Sequence, residues 1–119
     1  MTQLLLVALG GAIGSVARYG VGLAAARLFG LAFPWGTLFV NVAGGLAMGV
    51  LAARVGPEQE HWRLLLGVGV LGGFTTVSTF SLDALRLMQQ GPGPAALYMV
   101  ASVALSVGAC WAGFALGRI

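Results

Sequence analysis

Residues 72–81 read GGFTTVSTFS. Five hydroxyl residues (Thr75, Thr76, Ser78, Thr79 and Ser81) and a glycine pair stand here inside an apolar segment long enough to cross a bilayer. Helix propensity is low throughout the stretch. A break at membrane depth frees backbone carbonyls, and these persist only where protein, water or an ion satisfies them. Two readings stand. Either the helix is merely kinked and its hydroxyls bond the i−4 carbonyls, or it breaks and its carbonyls, turned toward a symmetry axis, hold a small cation.

Working outward, uncharged runs cover Pro34–Ala53, Leu64–Leu82 and Ala95–Leu116, and Leu4–Ala26 carries one charge, Arg18. About 20 apolar residues cross the hydrocarbon core as a helix. The sequence therefore predicts one all-α membrane domain over residues 1–119, with spans at 4–26, 34–53, 64–89 (broken near 72–79) and 95–116. The composition agrees: 59% of residues are hydrophobic and 8% charged, against about 25% charged in a soluble domain. The apolar N-terminus has no positive region before it and three more spans behind it, so it reads as a retained first span rather than a signal peptide.

The connections RLFGLAF, RVGPEQEHWR and RLMQQGPG hold most of the charges and turn residues. In a four-span up-down bundle, Arg54, Arg63 and Arg118 fall on one side and Arg27 and Arg86 on the other, joined by Arg18 if it lies at that end. Arginine bias normally sets orientation. Here there is almost none, so the chain is expected to insert both ways and pair as an antiparallel, dual-topology dimer; the alternative is that the N-terminal region or a partner chain sets one topology. Small-xxx-small spacings, one per span (Gly10/Gly14, Gly45/Gly49, Gly69/Gly73 and Gly113/Gly117), predict close helix packing. No basic cluster suits nucleic acid, and the single cysteine, Cys110, and single histidine, His61, exclude an intrachain disulfide and disfavour a metal cluster.

Polar groups at membrane depth cost several kcal/mol unless partnered, at the order of magnitude of such transfers, so their placement is informative. Tyr98, Ser102 and Ser106 fall at successive i, i+4 positions on the last span and form a hydroxyl stripe. Thr37 and Asn41 are four apart on the second span, and Arg18 lies four beyond Gly14 on the first. Each has a plainer reading: Ser102 bonding its own helix, Asn41 as interhelical glue, Tyr98 as an interfacial aromatic, Arg18 snorkelling. Taken together they favour a lined pathway. It would offer hydroxyl and amide donors and no mid-span carboxylate, Asp83 standing at the end of the third span. Such a lining suits an anion, whose hydration shell must be replaced by donors, and phenylalanine ring edges add positive potential. A cation pump or drug exporter would want an embedded carboxylate.

GGAIGSVARY (10–19), PWGTLFVNVAGGLAMG (34–49) and GVLGGFTTVSTFS (69–81) resemble the three signature blocks of the CrcB/Fluc fluoride channels. The resemblance covers nearly the whole chain. It implies a passive, non-enzymatic fluoride channel in a prokaryotic cytoplasmic (inner) membrane, conferring fluoride resistance and working as an antiparallel homodimer with two pores. It implies a structural sodium ion at the dimer axis on the backbone carbonyls of Gly72 and Thr75. Asn41 matches the pore asparagine and Phe80 one of two pore phenylalanines. Thr79, Tyr98, Ser102, Ser106 and Arg18 complete the expected fluoride pathway. One departure stands out: the first phenylalanine of the usual T-T-F-S-T-F is Val77 here, which fits a natural variant, one partner of a heterodimer, or an introduced substitution. Asp83 stands where a glutamate is expected. The competing functions are a small multidrug exporter, which should carry an acid between Thr2 and Ala26 and has none, and a non-conducting assembly subunit, which explains the glycines but not the hydroxyl stripe.

Overall fold

The computed structural model describes residues 1–119, all helical apart from short connections. Helix α1 (Thr2–Phe29) ends where Gly30 takes φ 79° and returns its N–H to the Ala26 carbonyl at 3.0 Å, a conformation that favours glycine. Pro34 then precedes α2 (Trp35–Arg54). The third span is assembled from pieces: α3 (Glu60–Trp62), a π-helical segment (Arg63–Leu71), α4 (Gly72–Phe74) and α5 (Ser78–Gln90). Helix α6 (Pro92–Gly117) follows after Gly91 alone, with Pro92 preset for a first helical turn. Four helical segments are long and apolar enough to cross a membrane, 2–29, 35–54, 60–90 and 92–117.

The helices outrun the uncharged stretches of the sequence. Arg27 lies inside α1, and Arg86–Gln90 continue α5 where the charges suggest a connection. Polar residues at a span end remain helical because their side chains reach the interface.

Glycines place the helices in two tight pairs. In the first, α1 lies on the π segment and α4: the Cβ of an alanine at Gly69 would meet Gly10 Cα at 2.9 Å, and one at Gly14 would strike the Val70 carbonyl. In the second, α2 lies on α6, where Gly45 approaches the Ser106 carbonyl, Gly49 that of Cys110, and Gly113 that of Leu46. Every glycine of the four spacings read from the sequence sits at such a contact. Backbone-to-backbone packing of this kind substitutes for the hydrophobic drive that lipid removes.

Inside this frame little is hidden. Only 14 of 119 residues are buried, so most apolar side chains face outward, as they would toward lipid or another chain. The small core joins Ala84 and Leu87 of α5 to Ala95 and Tyr98 of α6, with Phe33, Leu38, Phe80 and Met99 packed around it.

Candidate functional site

The helical ladder stops at Phe74 and resumes at Ser78. Thr75 is extended (φ −89°, ψ 162°), and its N–H and hydroxyl both still reach back to the Leu71 carbonyl, at 3.0 and 2.9 Å. Thr76 leaves the ladder. Its N–H, which a continuous helix would give to the Gly72 carbonyl, goes to Asn41 Oδ1 at 2.7 Å, and its own carbonyl accepts from Asn41 Nδ2 at 3.0 Å. Thr76 Oγ1 then accepts the Thr79 N–H at 3.1 Å, so that N–H does not go to the Thr75 carbonyl. A hydroxyl accepting a first-turn N–H stabilises a helix start in the manner of an N-cap. One more loose carbonyl, that of Gly73, accepts from Arg18 Nε at 3.0 Å.

Two residues read from the sequence as pathway candidates therefore hold the segment between α4 and α5. Asn41 grips one residue through both ends of its amide. Arg18 spans from α1 to Gly73, so its guanidinium is engaged inside the protein rather than snorkelling.

The remaining candidates divide between two grooves. Asn41, Phe80, Ser102 and Ser106 line one, of about 310 Å³, together with Thr76 and Val77. Arg18 and Thr79 line the other, of about 390 Å³, with Thr37 and Val40. Thr76 borders both, so the interrupted segment is the wall between them.

Ser102 Oγ and Ser106 Oγ are buried and have no hydrogen-bond partner. Ser102 thus does not bond its own helix, and two buried hydroxyls stand without a partner in residues that line the Asn41 groove. Buried polar atoms are seldom left unpartnered, and a pair of them one turn apart beside an amide points to a ligand. Tyr98, the third member of the stripe, lies elsewhere. Its ring is fully buried between Phe33 (centroids 5.5 Å apart, edge-on) and Phe80 (5.2 Å, tilted). Its hydroxyl faces Asp83 Oδ2 at 3.4 Å, and Thr37 Oγ1 donates to the same oxygen at 2.7 Å.

A family model described as CrcB-like protein, Camphor Resistance (CrcB), matches residues 5–114. The chain belongs to this family. Its CrcB relatives include proteins named fluoride-specific ion channel FluC. That of Caulobacter sp. strain K31 is 58% identical over 123 residues, covering 99% of this chain and 96% of its own. The one from Rhizobium etli is 55% identical over 122 residues, covering 99% and 98%. The one from Agrobacterium fabrum is 52% identical over 122 residues, with the same coverage. This CrcB chain is accordingly a multi-pass membrane protein with four spans.

Sequence reasoning missed the Thr37–Asp83–Tyr98 cluster, which joins three spans, and the part played by the Thr76 backbone. A usable signal existed for the first: Asp83 lies four residues beyond Thr79, and Thr37 four before Asn41, so each sits one turn along from a residue already singled out. No signal marks the second, because a peptide group has no letter of its own.

Proposed function

We propose that this chain is a fluoride-selective passive channel of a prokaryotic inner membrane, built as an antiparallel dimer of four-span subunits. The carrying observation is the Asn41 groove. It sets an amide and two unpartnered buried hydroxyls against a phenylalanine, with no acid in its lining, in a chain 52–58% identical to proteins named fluoride-specific ion channels.

The chemistry follows from what fluoride needs. A small, strongly hydrated anion crosses hydrocarbon only where donors replace its water. Serine hydroxyls can turn their hydrogens toward it, the Asn41 amide adds an N–H, and the Phe80 ring edge contributes positive potential. Helix α5 starts at Ser78 beside this groove, so its N-terminal dipole favours an anion there as well. Selectivity then comes from a narrow, donor-lined path that holds chloride poorly. The exporter reading lacks its embedded acid, and a non-conducting assembly subunit gives Ser102 and Ser106 nothing to bind.

Dimer formation is supported by what a lone subunit leaves uncovered. Gly72, Val77 and Ser78 are exposed around the mid-span interruption, and irregular backbone facing lipid is not tolerated. A second copy covers it, and the near absence of arginine bias permits that copy to insert the other way up. The same apposition suits a structural sodium ion. The Gly72 and Thr75 carbonyls each lose their helical donor, to Asn41 and to Thr76 Oγ1 respectively, and backbone oxygens at a helix interruption are suitable partners for a hard cation. Two chains would supply two such pairs. Replacing sodium by N-methyl-D-glucamine should then lower the dimer fraction in detergent titrations, and an unchanged fraction would remove sodium from the account.

Efflux from liposomes containing the purified chain, read by fluoride and chloride electrodes, tests the reading. Fluoride flux without chloride flux supports it.

A further inference from the structure

Asn41 is held in a way that a merely donating pore residue does not require. A side-chain amide has one oxygen and two hydrogens, one hydrogen cis to the oxygen and one trans. The oxygen and the cis hydrogen lie along one edge, and this edge matches the N–H and C=O of a single extended residue. In this chain the edge meets the N–H and C=O of Thr76, at 2.7 Å and 3.0 Å. Turning the amide over would set oxygen against carbonyl and NH2 against N–H, breaking both bonds and opposing like dipoles. The trans hydrogen points to the opposite side, away from Thr76, and Asn41 also lines the groove that holds the Ser102 and Ser106 hydroxyls.

We propose that the backbone N–H and C=O of Thr76 lock the Asn41 amide in one orientation, so that the groove meets its trans N–H and never its oxygen. This makes Thr76 a positioning residue that acts through Asn41 and sets the sign of the ion admitted. An unlocked amide offers either polarity by rotating, and would stabilise a cation about as readily as an anion. A locked one is a fixed donor, and fixed dipoles aimed at a charge cost no reorganisation when the ion arrives. The interruption of the third span thereby gains a purpose beyond freeing carbonyls. It turns the N–H and the C=O of one residue, Thr76, toward a single neighbour, which an unbroken helix cannot do because its N–H and C=O groups point in opposite directions along the axis. The inference rests on the proposed fluoride function and deepens it.

The test exploits a feature of the sequence: Asn41 is the only asparagine in the chain. Labelling with 15N-asparagine gives a single side-chain NH2 pair in the nuclear magnetic resonance spectrum of the full chain in lipid nanodiscs. Sodium fluoride is then titrated against sodium chloride. The expected result is two unequal proton signals, of which the trans proton moves with fluoride and the cis proton stays in place. Equal movement of both, or movement of the cis proton alone, overturns the lock. So does the absence of any shift in a preparation whose liposomes pass fluoride. Liposomes that pass no fluoride at all overturn the proposed function, and the lock with it. As a second readout, Asn41→Asp keeps an acceptor for the Thr76 N–H but has no hydrogen for the groove. Fluoride efflux should fall by about tenfold or more, the scale of one lost hydrogen bond to a charged group, and wild-type efflux from N41D would contradict the inference.

Discussion

Replacing Gly45 with alanine is expected to weaken the α2–α6 pair and displace Ser106 from the groove. The added Cβ would stand 2.7 Å from the Ser106 carbonyl oxygen. Carbon–oxygen contacts of this kind settle at about 3.3–3.6 Å, so the two backbones must separate by roughly 0.6 Å or more. Neither side can swing aside, because the contact is backbone against a Cβ fixed to backbone. Overfilling a packed site costs about 1–3 kcal/mol, and alanine returns up to about 1 kcal/mol of helix propensity over glycine. The net loss should be roughly 1–2 kcal/mol. Gly108→Ala, on the opposing helix α6, is the control, since nothing lies within 4 Å of its added carbon, and it should be neutral or slightly stabilising. Reversible unfolding in mixed detergent–lipid micelles measures both, and fluoride efflux follows the position of Ser106. Equal stability of the two variants would refute the claim that glycine contact holds this pair together.

Ser102→Ala and Ser106→Ala should lower fluoride efflux while leaving stability within about 0.5 kcal/mol, because neither hydroxyl has a protein partner to lose; a large stability loss in unfolding titrations would mean that the hydroxyls serve packing. Phe80→Ile keeps an apolar side chain against Tyr98 but removes the ring edge, and it should abolish fluoride flux. Normal efflux from that variant in liposomes would take Phe80 out of the pathway.

The spans and their packing faces were legible because both depend on local pattern. Apolar length marks a membrane helix, and a glycine repeating every four residues marks a face that can meet another backbone. All four spacings, from Gly10/Gly14 to Gly113/Gly117, lie at such contacts. Partners were less legible. Tyr98, Ser102 and Ser106 share one helix face in sequence, but the structure divides them. Tyr98 is drawn to Asp83 and Thr37, and the two serines, which line the groove, keep hydroxyls without a partner. That division depends on which helix lies opposite each turn, and helix periodicity carries no such information. Arg18 and Asn41 were recognised as polar groups needing partners, but both find backbone: Gly73 in one case and Thr76 in the other. The peptide groups that accept them are exposed by the conformation of residues 75–77, so their availability is a property of the fold. Val77 lies on the groove and is 77% exposed, and it makes no intrachain contact that explains why valine stands there.

The central claim is that this chain alone forms a fluoride-selective pore, with valine at position 77. Its most direct test is efflux from liposomes holding only this protein in sodium buffer, followed with fluoride and chloride electrodes. Fluoride should be released and chloride retained. Equal release of both ions, or retention of both, would contradict it.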